Sequence, residues 1–255
     1  CAVSLIPTAF SIPARGTEMK RGCTQCGECL NVCPVYALFK REEYAPKGKR
    51  LLLEQIDPEF GGSPDSPLPW EDIRELARLC AGCERCQQAC ARKLSTSDLL
   101  AEARARNPHW TQSLWDMWIR RAGPLWPMAG KIAMLAPDFV IPGVLRSSVE
   151  TARALVDLEP CEPWMTLRPR KKVSGIRVAL FSGCTAKNAR PRWISNARQL
   201  LAGWGYDLVD IADFACCGGT LHHAGQLGAL AEVRERNLAL WRTAGKPVMA
   251  SFYAS

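Results

Sequence analysis

Thirteen cysteines in 255 residues dominate the chemistry open to this chain. Eight of them fall in two runs with the same internal spacing. The first is Cys23-x2-Cys26-x2-Cys29-x3-Cys33, followed by Pro34; the second is Cys80-x2-Cys83-x2-Cys86-x3-Cys90. Three thiolates two residues apart can wrap one set of bridged irons in a tight loop. A fourth, three residues on, sits on the next helical turn and points to a second cluster. The spacing therefore predicts two [4Fe-4S] clusters with crossed ligation. Cys23, Cys26, Cys29 and Cys90 hold one; Cys80, Cys83, Cys86 and Cys33 hold the other.

The competing chemistries fit less well. A zinc site uses four ligands, often two CxxC pairs, and has no use for this longer pattern twice over. A disulfide cage needs an oxidising compartment and gives no reason for the repeat. Small residues between the ligands (Thr24, Gly27, Ala81, Gly82) let backbone amides approach the sulfurs and raise the cluster potential. The spacing is that of bacterial ferredoxins, with one departure: Ala91 follows Cys90, where such runs usually carry proline. That alters the turn more than the ligation.

The other cysteines are Cys1, Cys161, Cys184, Cys216 and Cys217. Cys184 follows an apolar strand-like stretch in "FSGCTAKN". Cys216 and Cys217 lie in "CCGG", after the next strand and before a helix. Carboxyl ends of strands are where α/β folds place ligands, and Gly218 and Gly219 allow close backbone approach. These three are candidate ligands or catalytic thiols; the bland alternative is buried free thiols. His222 and His223 follow. They read either as a proton donor or ligand beside a redox centre or, by preference, as polar residues opening a helix.

The elements that must position these residues suggest an α+β protein. Residues 1–20 read as an irregular arm, and 21–108 as a helical two-cluster ferredoxin-type domain. In the latter a charged, Gly- and Pro-rich bridge ("REEYAPKGKR", "GGSPDSPLP") separates the cysteine runs. Helices are expected over Pro69 to Leu79 and Ser95 to Arg106, the second capped by Ser95. Residues 109–172 form a Trp- and Pro-rich helical region and linker. The linker is basic (Arg168, Arg170, Lys171, Lys172). Residues 173–255 form an α/β domain with a small parallel sheet: strands at Ile176 to Ser182, Asp207 to Ile211 and Val248 to Phe252, helices at Asn196 to Gly203 and Ala224 to Arg242. The chain opens at Cys1 without methionine and stops within the strand-like "PVMASFYAS", so more polypeptide is expected at both ends.

Charge sets bounds on partners. The formal net charge is +8. Each oxidised four-iron cluster with its thiolates carries roughly −2, so two clusters bring the chain to about +4. Much of the basic excess then offsets cluster charge, and nucleic acid is not an expected partner. No run of about eighteen uncharged apolar residues is present, so no span is expected. Trp110, Trp115, Trp118 and Trp126, with Arg120 and Arg121, would suit a membrane interface, although helices packed on the cluster domain are the plainer reading.

Taken together, the double motif, the Trp-rich stretch and Cys184-x31-Cys216-Cys217-Gly218 resemble the CCG-domain iron–sulfur proteins. These include the catalytic subunit of membrane-bound heterodisulfide reductase, subunits of sulfate-reducer membrane redox complexes, and the iron–sulfur subunits of anaerobic glycerol-3-phosphate dehydrogenase and glycolate or lactate oxidase. The resemblance implies an α/β CCG domain and makes Cys184, Cys216 and Cys217 candidate ligands of a third cluster. In the family a CxxC some 35 residues later completes that cluster; here "SFYAS" has no cysteine at Phe252, Tyr253 or Ser255.

The leading expectation is an electron-transfer subunit of a membrane-associated oxidoreductase, peripheral to the cytoplasmic side of the inner membrane. No GxGxxG is present, so a flavin or nicotinamide would sit on another chain. The expected partners are a flavoprotein dehydrogenase, a cytochrome b-type or quinone-reactive membrane subunit, or both. Membrane contact would run through those partners or through interfacial helices. The alternatives are a thiol–disulfide reductase acting at Cys184, Cys216 and Cys217, and a cysteine-rich zinc or nucleic-acid module.

Overall fold

In the computed structural model the described residues are 22–56, 70–137, 141–156, 174–211, 213–214 and 216–251. The expected arm with Cys1, the 61–69 part of the bridge, the 159–172 linker with Cys161, and Phe252, Tyr253 and Ser255 lie outside them. The described residues divide into two compact units, one spanning 22–115 with 219–230, the other 116–218 with 231–251.

The first unit is helical: α1 (Glu28–Asn31), α2 (Pro34–Phe39), a 3-10 turn (Glu42–Tyr44), α3 (Pro46–Ile56), α4 (Trp70–Arg78), α5 (Arg85–Ala89), α6 (Thr96–Arg106) and, from the later chain, α12 (Gly219–His223). Apolar residues at helical spacing make its core. Ile73 and Ala77 of α4 and Leu99, Leu100 and Ala103 of α6 close around Leu53 of α3. Ser95 caps α6 as expected, its hydroxyl accepting the Asp98 N–H at 3.1 Å.

Residues 41–50 correct the expectation of a bridge between the cysteine runs. Pro46, whose missing N–H costs nothing in a first helical turn, opens α3. Ala45, Lys49 and Leu53 recur every fourth residue and are all buried. The charges of this stretch disguised an amphipathic helix that packs into the core.

The second unit takes in the later part of α7 (Trp110–Arg120), then α8 (Ala122–Leu135), α9 (Gly143–Arg153), α10 (Gly183–Ala189), α11 (Pro191–Gly203) and most of α13 (Leu227–Thr243). Its sheet is β1 (Arg177–Phe181), β2 (Asp207–Val209) and β3 (Val248–Ser251), in the order β2-β1-β3, all parallel. Val178 of the central strand pairs with Leu208 on one side and Val248 on the other. Val178 and Ala179 are buried, which suits the uniformly apolar "VALF". A second cluster joins Ala122, Trp126 and Ala189, with Trp118, Leu155 and Cys184 packed on it. The helical first half and small parallel sheet make the chain α+β.

One local boundary needs correction. The helix expected over Ala224 to Arg242 starts three residues later: α12 ends at His223, the chain turns at Gly225, and α13 runs over Leu227–Thr243. Cys184 lies in α10, which follows β1 directly.

Candidate iron–sulfur centres

Both cysteine runs are built the same way. A loop containing left-handed residues leads into a one-turn helix that carries the third cysteine, Cys29 in α1 and Cys86 in α5, and these helices pack on each other. The fourth cysteine sits at a helix boundary. Cys33 is the N-cap of α2, its Sγ accepting the Tyr36 N–H at 3.5 Å, and Cys90 is the C-cap of α5. The start of the first run also lies against the end of the second. Gly22 has φ +128°, and a Cβ there would come within 2.6 Å of the Arg92 guanidinium, two residues beyond Cys90. Only glycine combines that backbone angle with so close an approach.

Cys33, Cys80, Cys83 and Cys86 line one solvent-open hollow of about 400 Å³, together with Lys49 and Thr96. Thus Cys33, from the first run, faces the same space as three cysteines of the second. Cys29 lies near Cys23 and Cys86. Among the described residues no three Cys, His, Asp or Glu side chains converge on a single ion.

The donor set suits an iron–sulfur group. All eight cysteines are free thiols, and soft thiolates select such clusters. Burial raises the Cys29 thiol, opposed by the backbone N–H of Lys47. Burial raises Cys86 too, opposed by the N–H and hydroxyl of Thr96. Iron ligation deprotonates such thiols, and those N–H and O–H groups would then donate to ligand sulfurs.

Lys49 is a site residue that the cysteine motifs do not point to. It is 3% exposed, with no carboxylate partner among the described residues. Burial lowers its pKa, against the pull of Cys80, Cys33 and Cys86, which an ionised set of thiols would strengthen. A buried cation without counter-charge is costly, so this residue fits an anionic group in the hollow. The four-residue spacing of Ala45, Lys49 and Leu53 was the signal that could have exposed it.

In the second unit Cys184, Cys216 and Cys217 come together. Cys184 and Cys216 are joined by a thiol hydrogen bond, which lowers the Cys184 pKa to about 7 against the opposing effect of burial, and raises that of Cys216. The Gly218 N–H donates to Cys216 Sγ at 3.4 Å. Asn188 and Asn237 fix the two chain segments through the carbonyls of Cys184 and Cys216, at 2.9 and 3.1 Å. A separate hollow of about 650 Å³ beyond β1 and β2 is lined by Ser182, Lys187, Arg198, Asp210 and Asp213 and includes none of the three cysteines.

The two histidines close a helix rather than open one. His222 Nε2 lies 2.9 Å from Asp98 Oδ1, and the His223 carbonyl accepts from Arg104 at 2.7 Å. Arg104 also donates to the Ala77 carbonyl at 2.6 Å, tying α4, α6 and α12 together.

Residues 19–94 match the 4Fe-4S dicluster domain family, which supports iron–sulfur clusters in this part of the chain. The chain is similar to the probable glycolate oxidase iron-sulfur subunit of Bacillus subtilis, 27% identical over 85% of this chain and 53% of that one. It is similar to the glycolate oxidase iron-sulfur subunit of Escherichia coli, 23% identical over 87% and 52%. It also resembles one of the subunits of the fumarate reductase (CoM/CoB) of Methanothermobacter marburgensis, 26% identical over 87% of this chain and 39% of that one. The chain thus spans about half the length of the glycolate oxidase subunits it matches, and these relatives accord with the iron–sulfur resemblance read from its sequence. No solved structure matches. Among the described residues no helix is long and apolar enough to cross a membrane.

Proposed function

We propose that this chain is the electron-transfer subunit of a multi-subunit oxidoreductase and carries two [4Fe-4S] clusters. Cys23, Cys26, Cys29 and Cys90 hold one, and Cys33, Cys80, Cys83 and Cys86 hold the other. The observation that carries this reading is the single hollow faced by Cys33 and by Cys80, Cys83 and Cys86. The protein fixes the ligands, supplies hydrogen bonds to their sulfurs and sets the surrounding charge. Electrons arrive from a flavoprotein dehydrogenase and leave to a cytochrome b-type or quinone-reactive partner. The test is iron and acid-labile sulfide content with electron paramagnetic resonance of the reduced protein. Two cubane signals are expected, and Cys26→Ser should remove or alter one and stop transfer between partners. Full transfer with one cluster gone would sink the relay.

The complex is membrane-associated on this reading, with α8 at the interface. Met128, Ile132 and Leu135 lie exposed along α8, and the charged residues beside them, Arg121 and Lys131, are both basic. Apolar side chains rimmed by cations suit an anionic lipid surface. Sedimentation with anionic vesicles, weakened in Ile132→Ser, tests it; equal binding to neutral vesicles would count against it.

The meeting of Cys184, Cys216 and Cys217 favours a second reading, in which this centre holds a third cluster or acts on a disulfide. Reducing a disulfide takes two electrons and two protons and yields two thiols, the electrons coming from the paired clusters. Iron content at the two-cluster level, with no new signal on thiol titration, would remove this reading.

A further inference from the structure

The surroundings of the two cysteine sets differ in charge. Three buried cations belong to the α3–α6 region: Lys49 at 3%, Arg50 at 4% and Arg104 at 8% exposure. Arg104 donates to the Ala77 and His223 carbonyls, which bring no compensating charge, whereas Arg50 donates to the Ser95 carbonyl and is offset by the Glu54 carboxylate. Lys49 lines the hollow together with Cys33, Cys80, Cys83 and Cys86, and the carboxylate that also lines it, Glu84, is exposed to solvent. Arg104 acts electrostatically on Cys80 of the same set.

Cations near the other set are of a different kind. Arg92, against Gly22, is exposed. Lys47, whose backbone reaches Cys29, has its ammonium 3.9 Å from the Glu42 carboxylate. Solvent and a paired carboxylate damp both charges.

Adding an electron to a cluster adds a negative charge, and a nearby cation in a low-dielectric wall favours that state over the oxidised one. We propose that Lys49, backed by Arg104, makes the cluster of Cys33, Cys80, Cys83 and Cys86 the higher-potential one of the pair, so that a single electron given to the protein rests there. This rests on the two-cluster reading above. Lys49 acts through the field it sets and need not touch the irons.

The test is a redox titration of the anaerobically purified full chain, reduced with dithionite and followed by electron paramagnetic resonance, with iron and sulfide counted in every sample. The signal lost or altered in Cys83→Ser identifies the cluster concerned. In the wild type that signal should be the first to grow as the potential falls. In Lys49→Met, at unchanged iron and sulfide, the reduced-to-oxidised ratio of that cluster at a fixed potential should drop at least tenfold, a 59 mV shift for one electron. The other signal should move less, and Lys49→Arg should stay near wild type. The proposal is overturned if the identified signal grows second in the wild type, or if Lys49→Met titrates like the wild type. The wild-type order decides even where Lys49→Met fails to load clusters. Protein without iron and sulfide would sink the two-cluster reading itself; two clusters in the opposite order would sink only the role of Lys49.

Discussion

Asp98 and His222, 124 positions apart in sequence, meet with Oδ1 and Nε2 2.9 Å apart. Asp98 also lies in the first turn of α6, where its charge suits the helix dipole. Asp98→Ala should lower the stability of this unit by about 1 kcal/mol. His222→Ala should cost a similar amount. The double variant should cost less than the two combined, because each removes the same contact. Urea unfolding of the four proteins measures this, and strictly additive losses would show the pair contributes nothing.

Gly48 lies inside α3, where alanine would ordinarily stabilise a helix by about 1 kcal/mol. Here a Cβ would collide with the Glu42 carbonyl oxygen and come within 2.9 Å of Glu43 Cα. Backbone atoms of the 3-10 turn cannot yield as a side chain would. Gly48→Ala should therefore destabilise the protein and loosen the turn that carries Ala45 against α3. A melting temperature equal to or above the wild type would contradict the packing described.

His223 gives a pH dependence. Burial of its ring, then the positive Arg104 and the neighbouring His222, hold its pKa down to about 4 from an ordinary 6.5. Between those values the unfolded chain binds a proton that the folded one does not, so stability falls as the pH drops from about 6.5 towards 4. More than a third of the residue's surface is nonetheless exposed, so solvent screening keeps the effect well below that of a fully buried ring. Denaturation midpoints at pH 7 and pH 5 should differ less in His223→Gln than in the wild type.

Arg153 closes the end of α8. Its Nε donates to the Ala133 carbonyl at 3.0 Å, which also accepts the Ala136 N–H, and its Nη2 to the Ala136 carbonyl at 2.5 Å, so one guanidinium serves two carbonyls at the helix end. Arg153→Lys cannot reproduce the fork and should cost about 1 kcal/mol. Faster amide exchange confined to the end of α8 is the expected signature.

Much of the fold was legible in the sequence where a local rule governs it. The cysteine spacing gave the hollow its four thiols, and Ser95 and the "VALF" run marked a helix start and a central strand because capping and apolar continuity act over a few residues. What escaped were relationships made by distant contacts. Lys49 read as part of a charged bridge because its burial depends on α4 and α6 closing over it. His222 read as a helix opener because its partner Asp98 lies far up the chain. Cys184 and Cys216 gave strand-end positions from pattern alone, but their mutual hydrogen bond required the intervening α10, α11 and β2 to fold back.

Helix α8 has one charged residue, Lys131, among fourteen, with Ala122, Trp126, Gly130 and Ala133 turned inward and Met128, Ile132 and Leu135 left in water. Its outward side thus bears hydrocarbon that the fold itself does not shelter. Sulfate and phosphate strengthen apolar association, so the isolated protein should sediment as larger species in those salts and return to a single smaller one in mild detergent. Handling conditions for this chain follow from that one helix as much as from the oxygen sensitivity of any iron it holds.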